Sequence, residues 1–286
     1  MTKSVTTQFM IYIAVTLIII CGGVGLIAEN TASNALFSSV EQQLPDKAKD
    51  GADIVASKVE TRLEAVAAIA DIPGLTTMDW STQFAVLAKQ QERLGFLYMG
   101  IANPNGDIKF TNGTTINIAN QDYFKRALSG DTYMSDPITN EIDGSLNFAF
   151  AAPIYGEEKQ ILGAVVALSD CLELSEIVKT ITYGESGYAY ILSKDCTTIA
   201  HPNVSLVVNG DNDLENVKED PSLAPLVELE KKMIAGESGF GQYVYNGAVK
   251  YMGYAPIPGT EWSIGVTVSQ GEILAPVKDL RNAIFL

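Results

Sequence analysis

The fold is decided by a stretch that occurs twice: residues 152–168 read APIYGEEKQILGAVVAL, and residues 255–268 read APIPGTEWSIGVTV. Each copy has an apolar segment with proline, a short turn that contains glycine, and a run rich in β-branched residues. This order predicts two antiparallel strands joined by a tight turn. The second copy begins 103 residues after the first. Because solenoid repeats have periods of about 20–50 residues, this offset indicates a duplicated domain.

A further pair of hairpins precedes these two stretches. Residues 96–110 contain an apolar run, the turn NPNGD and a return IKF, and Asn-Gly between apolar runs is a strong hairpin signal. Residues 187–200 repeat that plan with the run GYAYIL before a polar turn. The sequence therefore predicts an α+β fold with two antiparallel-sheet modules, at residues 75–170 and 171–276.

A long helix is predicted before the modules. Apolar residues recur at spacings of three and four over residues 36–70, which is the pattern of one helix face. Pro45 allows a kink or a break, and the run Ile72–Pro73–Gly74 predicts the helix end. We expect a stalk helix over residues 29–74 and a second helix over about 78–94. The apolar face suits packing against a sheet and also pairing with a second copy of the chain.

The N-terminal region predicts a membrane span. Residues 9–28 read FMIYIAVTLIIICGGVGLIA and carry no charge, and about 20 helical residues cross a hydrocarbon core of about 30 Å. The alternative is a cleaved signal peptide, whose apolar region usually has only about 7–15 residues. Lys3 favours a cytoplasmic N-terminus at residues 1–8, which places the chain after Glu29 outside the cytoplasm.

The composition excludes several classes of protein. The 286 residues are 47% apolar and 19% charged, and the net charge is −15. Intrinsic disorder needs fewer apolar residues, and a nucleic-acid partner needs a basic face. With one histidine and three cysteines, of which Cys171 and Cys196 could pair, we expect no metal and no cofactor. Nucleophile-elbow, phosphate-loop and zinc-protease motifs are absent from the sequence, which leaves an anchored hydrolase with paired carboxylates as the enzymatic alternative.

Three blocks of sequence, in this order, resemble double Cache sensor domains. They are residues 122–170 (beginning DYFKRALSGD), 184–203 (GESGYAYILSKDCTTIAHPN) and 236–277 (beginning GESGFGQYVY). With the anchor and the long helix, the resemblance covers nearly the whole chain, and bacterial methyl-accepting chemotaxis proteins are the most similar group. The alternative is that this region is the sensor of a histidine kinase or of a cyclic-dinucleotide enzyme.

This resemblance implies a specific architecture and function. Two PAS-like Cache modules would share the long helix, and the first, membrane-distal module would bind a small-molecule ligand. The receptor would form a homodimer through the long helix. Residues 277–286 would lead into a second membrane helix.

The resemblance also implies ligand-binding residues. Tyr123 and Phe124 would close the pocket, and Asp170 would receive a ligand ammonium through charge-assisted hydrogen bonds. The structural alternatives are core packing for the two aromatic residues and helix capping for Asp170. Gln121 stands where amino-acid-binding members have an arginine, and it lacks the charged bidentate fork, although Arg126 could substitute. Amino acids, amines, purine-like compounds and small carboxylates are therefore all open as ligands.

Four further residues are weaker candidates for the pocket: Tyr98, Asn112, Asp136 and Phe148. Tyr98 lies on the first strand and Asn112 just after the returning one, while Asp136 precedes Pro137 and also suits a turn. Asn147 and Phe148 are neighbours on a central strand, and we expect one of the two to point inward. In the second module, we interpret His201 as a structural residue. The segment 211–215 has spaced carboxylates but lacks the glycine of an EF-hand at its sixth position, so we interpret it as a polar loop.

Overall fold

The structure is a computed structural model that describes residues 5–77, 79–140 and 144–284. Short 3-10 turns lie at Pro73–Leu75 and Pro221–Leu223. The helices are α1 (Val5–Ala70), α2 (Trp80–Leu94), α3 (Asp122–Leu128), α4 (Leu172–Val178), α5 (Val204–Val208), α6 (Asp213–Asn216), α7 (Ala224–Ile234), α8 (Gln270–Ile273) and α9 (Ala275–Ile284). The strands are β1 (Tyr98–Ala102), β2 (Asp107–Phe110), β3 (Thr115–Asn117), β4 (Tyr133–Met134), β5 (Ile138–Thr139), β6 (Leu146–Tyr155), β7 (Ile161–Asp170), β8 (Thr182–Tyr183), β9 (Gly187–Leu192), β10 (Thr198–Ala200), β11 (Gly239–Tyr245), β12 (Ala248–Pro256) and β13 (Ser263–Ser269).

Helix α1 is continuous over 66 residues, about 99 Å at 1.5 Å per residue. It runs through Pro45, so the break that this residue allowed does not occur. The predicted membrane span and the predicted stalk up to residue 70 therefore lie within one helix, which ends four residues before the predicted end of the stalk. From residue 40 onwards its apolar stripe is buried against both sheets, through Val40, Leu44, Ala48, Ala52, Val55, Val59, Val66 and Ile69.

The two sheets are built on the same plan. In the first, the strand order is β3-β2-β1-β7-β6-β4, with β5 also paired to β6. In the second, the order is β10-β9-β13-β12-β11, with β8 also paired to β9. The duplicated stretches form the antiparallel pairs β6–β7 and β12–β13, and the first long strand of each module pairs with its last. The predicted α+β fold with two sheets is confirmed.

Each sheet has two buried faces. One face packs on α1, and both sheets contribute to that shared core. The opposite face of the first sheet packs beneath α3 and includes Phe110, Ala149 and Leu168; we call it the first outer face. The opposite face of the second sheet packs beneath α7 and includes Leu192, Met252 and Tyr254; we call it the second outer face.

The second module lies between the apolar N-terminal part of α1 and the first module. Phe37 of α1 packs on Tyr251 of the second sheet, with ring centroids 5.3 Å apart. Further along α1, Arg62 pairs with Glu173 at 2.9 Å and lies 4.8 Å from the ring of Phe96, beside the first sheet. Helix α9 packs beside α1, where Arg281 pairs with Glu29 at 3.4 Å.

The ends of α2 follow from two residues. Asp79 accepts a hydrogen bond from the backbone N–H of Thr82, and Gly95 closes the helix at φ 71° in the left-handed region. A carboxylate N-cap and a C-terminal glycine are the ordinary signals for these positions. The predicted helix over about 78–94 is confirmed as Trp80–Leu94, and Met78 lies outside the described residues.

Candidate functional site

The first outer face ends in a pair of polar residues. Asn147 on β6 lies directly opposite Asp170 on β7, so both side chains point to the same face. The next pair on this face is Ala149 and Leu168, and Leu168 lies opposite Tyr98 on β1. An amide and a carboxylate therefore stand at the edge of a surface that is otherwise apolar.

The carboxylate of Asp170 uses only some of its hydrogen-bond acceptor positions within the protein. Its Oδ1 accepts a hydrogen bond of 2.9 Å from the backbone N–H of Leu172, the first residue of α4. Helix capping, the structural alternative for Asp170, therefore accounts for only one of its two carboxylate oxygens. A carboxylate has about four acceptor positions, and Asp170 is half-buried, so it retains capacity to accept from a ligand. Burial, with the nearby Asp170 charge, raises the pKa of the Cys171 thiol.

Asn147 belongs to a buried amide pair. It has no exposed surface, and its Oδ1 accepts a hydrogen bond of 2.8 Å from the Nδ2 of Asn140, which is also buried. The Nδ2 of Asn147 donates to the carbonyl of Leu146 at 2.9 Å. The pair fixes an oriented amide beside Asp170. We had not predicted Asn140, and its only signal was a polar residue shortly before the apolar run of β6.

Helix α3 places two predicted residues over the same face, and a third lies at its N-terminus. Tyr123 and Phe124 lie in its first turn, are 4% and 1% exposed, and belong to the apolar cluster of the first outer face. Gln121 is the N-cap residue of α3 and makes no capping hydrogen bond through its side chain. Tyr98, Tyr123, Phe124 and Asp170 are therefore grouped on one face of one sheet.

Arg126 and Asp136 lie elsewhere, in a cleft of about 300 Å³ between the two modules. We call this cleft the seam; α1 forms one wall, and the turn 259–262 forms another. The Arg126 guanidinium lies 4.2 Å from the ring centroid of Tyr133 and pairs with Asp122 at 3.2 Å. Asp136 accepts a hydrogen bond of 2.6 Å from the indole N–H of Trp262, which joins the modules.

Phe148 and Asn112 also lie away from Asp170. Phe148 is 1% exposed, faces α1, and stacks near Trp262 with ring centroids 5.4 Å apart. Asn112 is exposed, and its Oδ1 accepts from the backbone N–H of Thr114 at 3.0 Å. With Tyr98, it borders an open groove of about 520 Å³ beside α2. Neither this groove nor the seam is lined by Tyr123, Phe124 or Asp170.

Two expectations about metals and thiols can be compared with the described part of the chain. Within it, no group of three or more His, Cys, Asp or Glu residues is arranged to hold a metal ion. Cys171 and Cys196 are both buried and free, so they do not form the disulfide that the sequence left open.

The N-terminal part of α1 has the length and composition of a membrane span. Within the described ranges it is the one helix that meets this description, with a mean hydropathy of 2.6 in its most apolar window. Its large apolar side chains are exposed, as in Ile18 at 71% and Leu26 at 67%.

Comparisons with known proteins identify the fold. A family model described as a Cache domain matches residues 32–277. The methyl-accepting chemotaxis protein PctB of Pseudomonas aeruginosa is 22% identical over 263 residues, which is 86% of this chain and 38% of PctB. The chain thus spans well under half the length of that relative.

Two solved structures are similar over most of the chain. The ligand-binding domain of the Pseudomonas fluorescens chemoreceptor CtaA, in complex with L-leucine, has a TM-score of 0.67 at 17% identity, covering 85% of this chain and 100% of that one. The sensory domain of the Campylobacter jejuni chemoreceptor Tlp3, with isoleucine bound, has a TM-score of 0.64 at 14% identity, covering 85% and 98%. With its duplicated sheets on one helix, this chain belongs to the Cache-domain family, as a double Cache sensor region of the kind found in methyl-accepting chemotaxis proteins.

Proposed function

We propose that this chain is the extracytoplasmic sensor region of a transmembrane chemoreceptor, and that its first module binds a small organic solute on the first outer face. The observation that carries this proposal is the Asn147–Asp170 pair, which stands at the edge of an apolar face under the aromatic residues of α3. Small-molecule sites combine mostly apolar walls with a few convergent polar groups. This arrangement supports binding without any catalytic step.

Asp170 and the aromatic residues favour a ligand that carries an ammonium group. Its carboxylate would accept charge-assisted hydrogen bonds from that group, while Tyr123 would cover the apolar part of the solute. CtaA with leucine and Tlp3 with isoleucine make α-amino acids the first class to test. Because Gln121 offers no guanidinium to an α-carboxylate, amines, purine-like compounds and small carboxylates belong in the same panel.

The proposed signal passes along α1. With residues 1–8 in the cytoplasm and residues 9–28 in the membrane, the second module is proximal and the first is distal. A solute shifts the receptor between two states only by its different affinity for them. Because α1 contacts both sheets, a change in how the first sheet packs on it is transmitted towards the span. A homodimer formed through α1 is part of this proposal.

The test is a binding screen on the 286-residue chain in detergent micelles. Thermal unfolding is measured with amino acids, amines, purines and carboxylates, and each hit is then titrated by calorimetry. Asp170→Asn is expected to weaken binding at least tenfold, since it removes the charge but keeps the shape, and Tyr123→Phe tests the hydroxyl without creating a cavity.

The matched control is Glu157→Gln, which removes one exposed carboxylate from the β6–β7 turn at the other end of the same hairpin. Equal affinity in Asp170→Asn, Tyr123→Phe and Glu157→Gln would contradict this location for the solute. Conversion of any solute to a product, monitored by NMR of the mixture, would instead support the alternative of an anchored hydrolase.

A further inference from the structure

The second outer face carries a cavity walled by tyrosines. Tyr188 and Tyr190 come from β9, and Tyr243 and Tyr245 come from β11, three strands further along the sheet. We call these four residues the tyrosine cage. Gly265 on β13, an intervening strand, makes room for it, because a Cβ there would lie only 2.9 Å from a ring carbon of Tyr190.

A buried carboxylate points into the cage without a cationic partner. Glu230 of α7 is 2% exposed and lines the cavity. Its Oε1 accepts from the Tyr190 hydroxyl at 3.2 Å, and its Oε2 accepts from the Cys196 thiol at 3.5 Å. Among the ion pairs of residues 5–77, 79–140 and 144–284, none involves Glu230. Burial raises the pKa of Glu230 to about 8.

Two further carboxylates line the cavity, and the one histidine that lines it carries no charge at pH 7. Asp211 and Asp213 line it, and burial raises the pKa of Asp213. His201 packs its ring 5.1 Å from that of Tyr188, and its Nδ1 accepts from the backbone N–H of Asn203 at 2.8 Å. Burial lowers the pKa of His201, so the imidazole is neutral at pH 7. The cavity is therefore electronegative and aromatic.

The rim of the cage already binds an ammonium group. The Nζ of Lys250 lies 4.8 Å from the ring centroid of Tyr188 and 5.5 Å from that of Tyr245, and it donates to the Tyr188 hydroxyl at 3.1 Å. These are the distances of cation–π contacts. The same rings therefore recognise a primary ammonium from within the chain, while the carboxylate deeper in the cavity has none.

We propose that the second module has a ligand site of its own, which takes a small primary ammonium group between the tyrosine cage and Glu230. The cavity measures about 30 Å³, and a group the size of a water molecule needs about 10–15 Å³. An ammonium head on a slender chain fits this space, and a quaternary ammonium does not. The ligand supplies the positive charge that ionised Glu230 lacks, so binding of the ammonium group favours the ionised carboxylate over the protonated acid that burial favours. The site is separate from the proposed solute site of the first module.

The test uses ethylammonium chloride as the probe on the full 286-residue chain in detergent, with sodium chloride at equal ionic strength as the reference. Ethylammonium is expected to bind by calorimetry and to raise the unfolding temperature, while tetramethylammonium does neither. Glu230→Gln is expected to weaken ethylammonium binding at least tenfold, since glutamine keeps the hydrogen bond to Tyr190 and loses the charge. Glu228→Gln, which removes an exposed carboxylate from the same helix α7, serves as the control and leaves this binding unchanged.

Three results would overturn the proposal: equal effects of ethylammonium and sodium, equal affinity in Glu230→Gln, or loss of binding in Asp170→Asn alone. The last result would assign the probe to the first module. If Asp170→Asn lost its own solute but kept ethylammonium, the two sites would be shown to be independent. Unfolding curves of both variants without probe verify that each one folds.

The affinity should also depend on pH. Ethylammonium stays charged below pH 9, as a lysine side chain does, whereas Glu230 ionises around pH 8. Affinity is therefore expected to rise about tenfold from pH 7 to pH 9, and not in Glu230→Gln. Burial also lowers the pKa of Lys250, so Lys250→Gln must retain the rise; a rise that disappears with Lys250 contradicts the assignment to Glu230. The titratable groups that face Glu230 are Tyr188, Tyr190, Cys196, His201, Asp211, Asp213, Tyr243, Tyr245 and Lys250.

Discussion

The two outer faces have the same strand plan and different chemistry. On the first, the carboxylate of Asp170 stands at a half-buried edge next to an amide. On the second, the carboxylate of Glu230 comes from a helix above the sheet and is almost fully buried among tyrosines. A duplicated scaffold thus carries one half-buried polar edge and one enclosed acid whose pKa is raised by burial.

The two modules differ on the faces that have no packing partner in common. The faces that pack on α1 share one apolar core, because both must cover the stripe of the same helix. The outer faces have no common partner, since α3 covers one and α7 covers the other. Function can therefore differ between the outer faces without changing how either sheet packs on α1.

The largest predicted effect concerns the close packing of the second sheet on α1. A Cβ at Gly253 of β12 would lie 2.2 Å from the carbonyl carbon of Leu44, and backbone cannot move aside cheaply. Gly253→Ala is expected to cost about 3 kcal/mol of unfolding free energy, at the upper end of overpacking. Gly271→Ala in α8 is the control, since the nearest atom to a Cβ there is the Ser269 Oγ at 4.0 Å. Denaturant unfolding of both variants tests this, and equal stability would contradict the close approach.

The second effect concerns the buried acid. Glu230 has a folded-state pKa of about 8, raised from 4.5 mainly by burial, so the folded chain holds a proton that the unfolded chain releases above about pH 5. Stability should fall as pH rises from 6 to 8, by about 2 kcal/mol, and level off above pH 8. Glu230→Gln should remove this slope. Thermal unfolding across pH 5–9 measures it, and an unchanged slope in the variant would assign the effect to another group.

The third effect tests whether the modules are coupled across the seam. Asp136→Ala leaves the indole N–H of the buried Trp262 without its acceptor, which is expected to cost about 1 kcal/mol. Asp131→Ala removes a neighbouring exposed carboxylate as the control. Calorimetric unfolding is expected to show one transition in the native chain and a lower temperature only in Asp136→Ala. The same temperature in both variants would mean that this hydrogen bond does not hold the modules together.

The smallest effect sharpens the ligand class of the first outer face. Gln121→Arg at the N-cap of α3 introduces the guanidinium that amino-acid-binding relatives are inferred to have. It is expected to raise affinity for an α-amino acid by about 1 kcal/mol through a charge-assisted pair, and to leave simple amines unaffected. Gln242→Arg adds the same charge to an exposed position of the second sheet. Calorimetric titration of both variants decides this, and an equal gain would reflect charge alone.

Much of the fold could be predicted from the sequence because the signals are local or repeated. The duplicated stretches predicted the two sheets, and Asp79 and Gly95 marked the ends of α2. Pro45 is a residue at which the local signal differs from the structure, because the break that it allowed does not occur. Its missing N–H and its ring disfavour a helix interior, yet α1 continues through it where the backbone packs closely on Gly253.

The candidate site was only partly predictable, for physical reasons. Strand β6 is buried on both faces, so its pattern gave no alternation between polar and apolar residues. Phe148 was chosen, and the register instead turns Asn147 towards Asp170. Arg126 lies on the side of α3 that faces Tyr133, and Asp136 lies between β4 and β5, and no local sequence signal predicts that either is away from Asp170. The tyrosine cage did have a signal, in tyrosines two residues apart on each of two strands.

The most direct measurement is hydrogen–deuterium exchange of the 286-residue chain, with and without the solute that binds most tightly in the screen. Protection is expected in peptides that contain α3 and the β7–α4 junction at Asp170, and not in peptides that contain Glu230. Protection confined to the second module or to the seam, with α3 unchanged, would contradict a solute site on the first outer face.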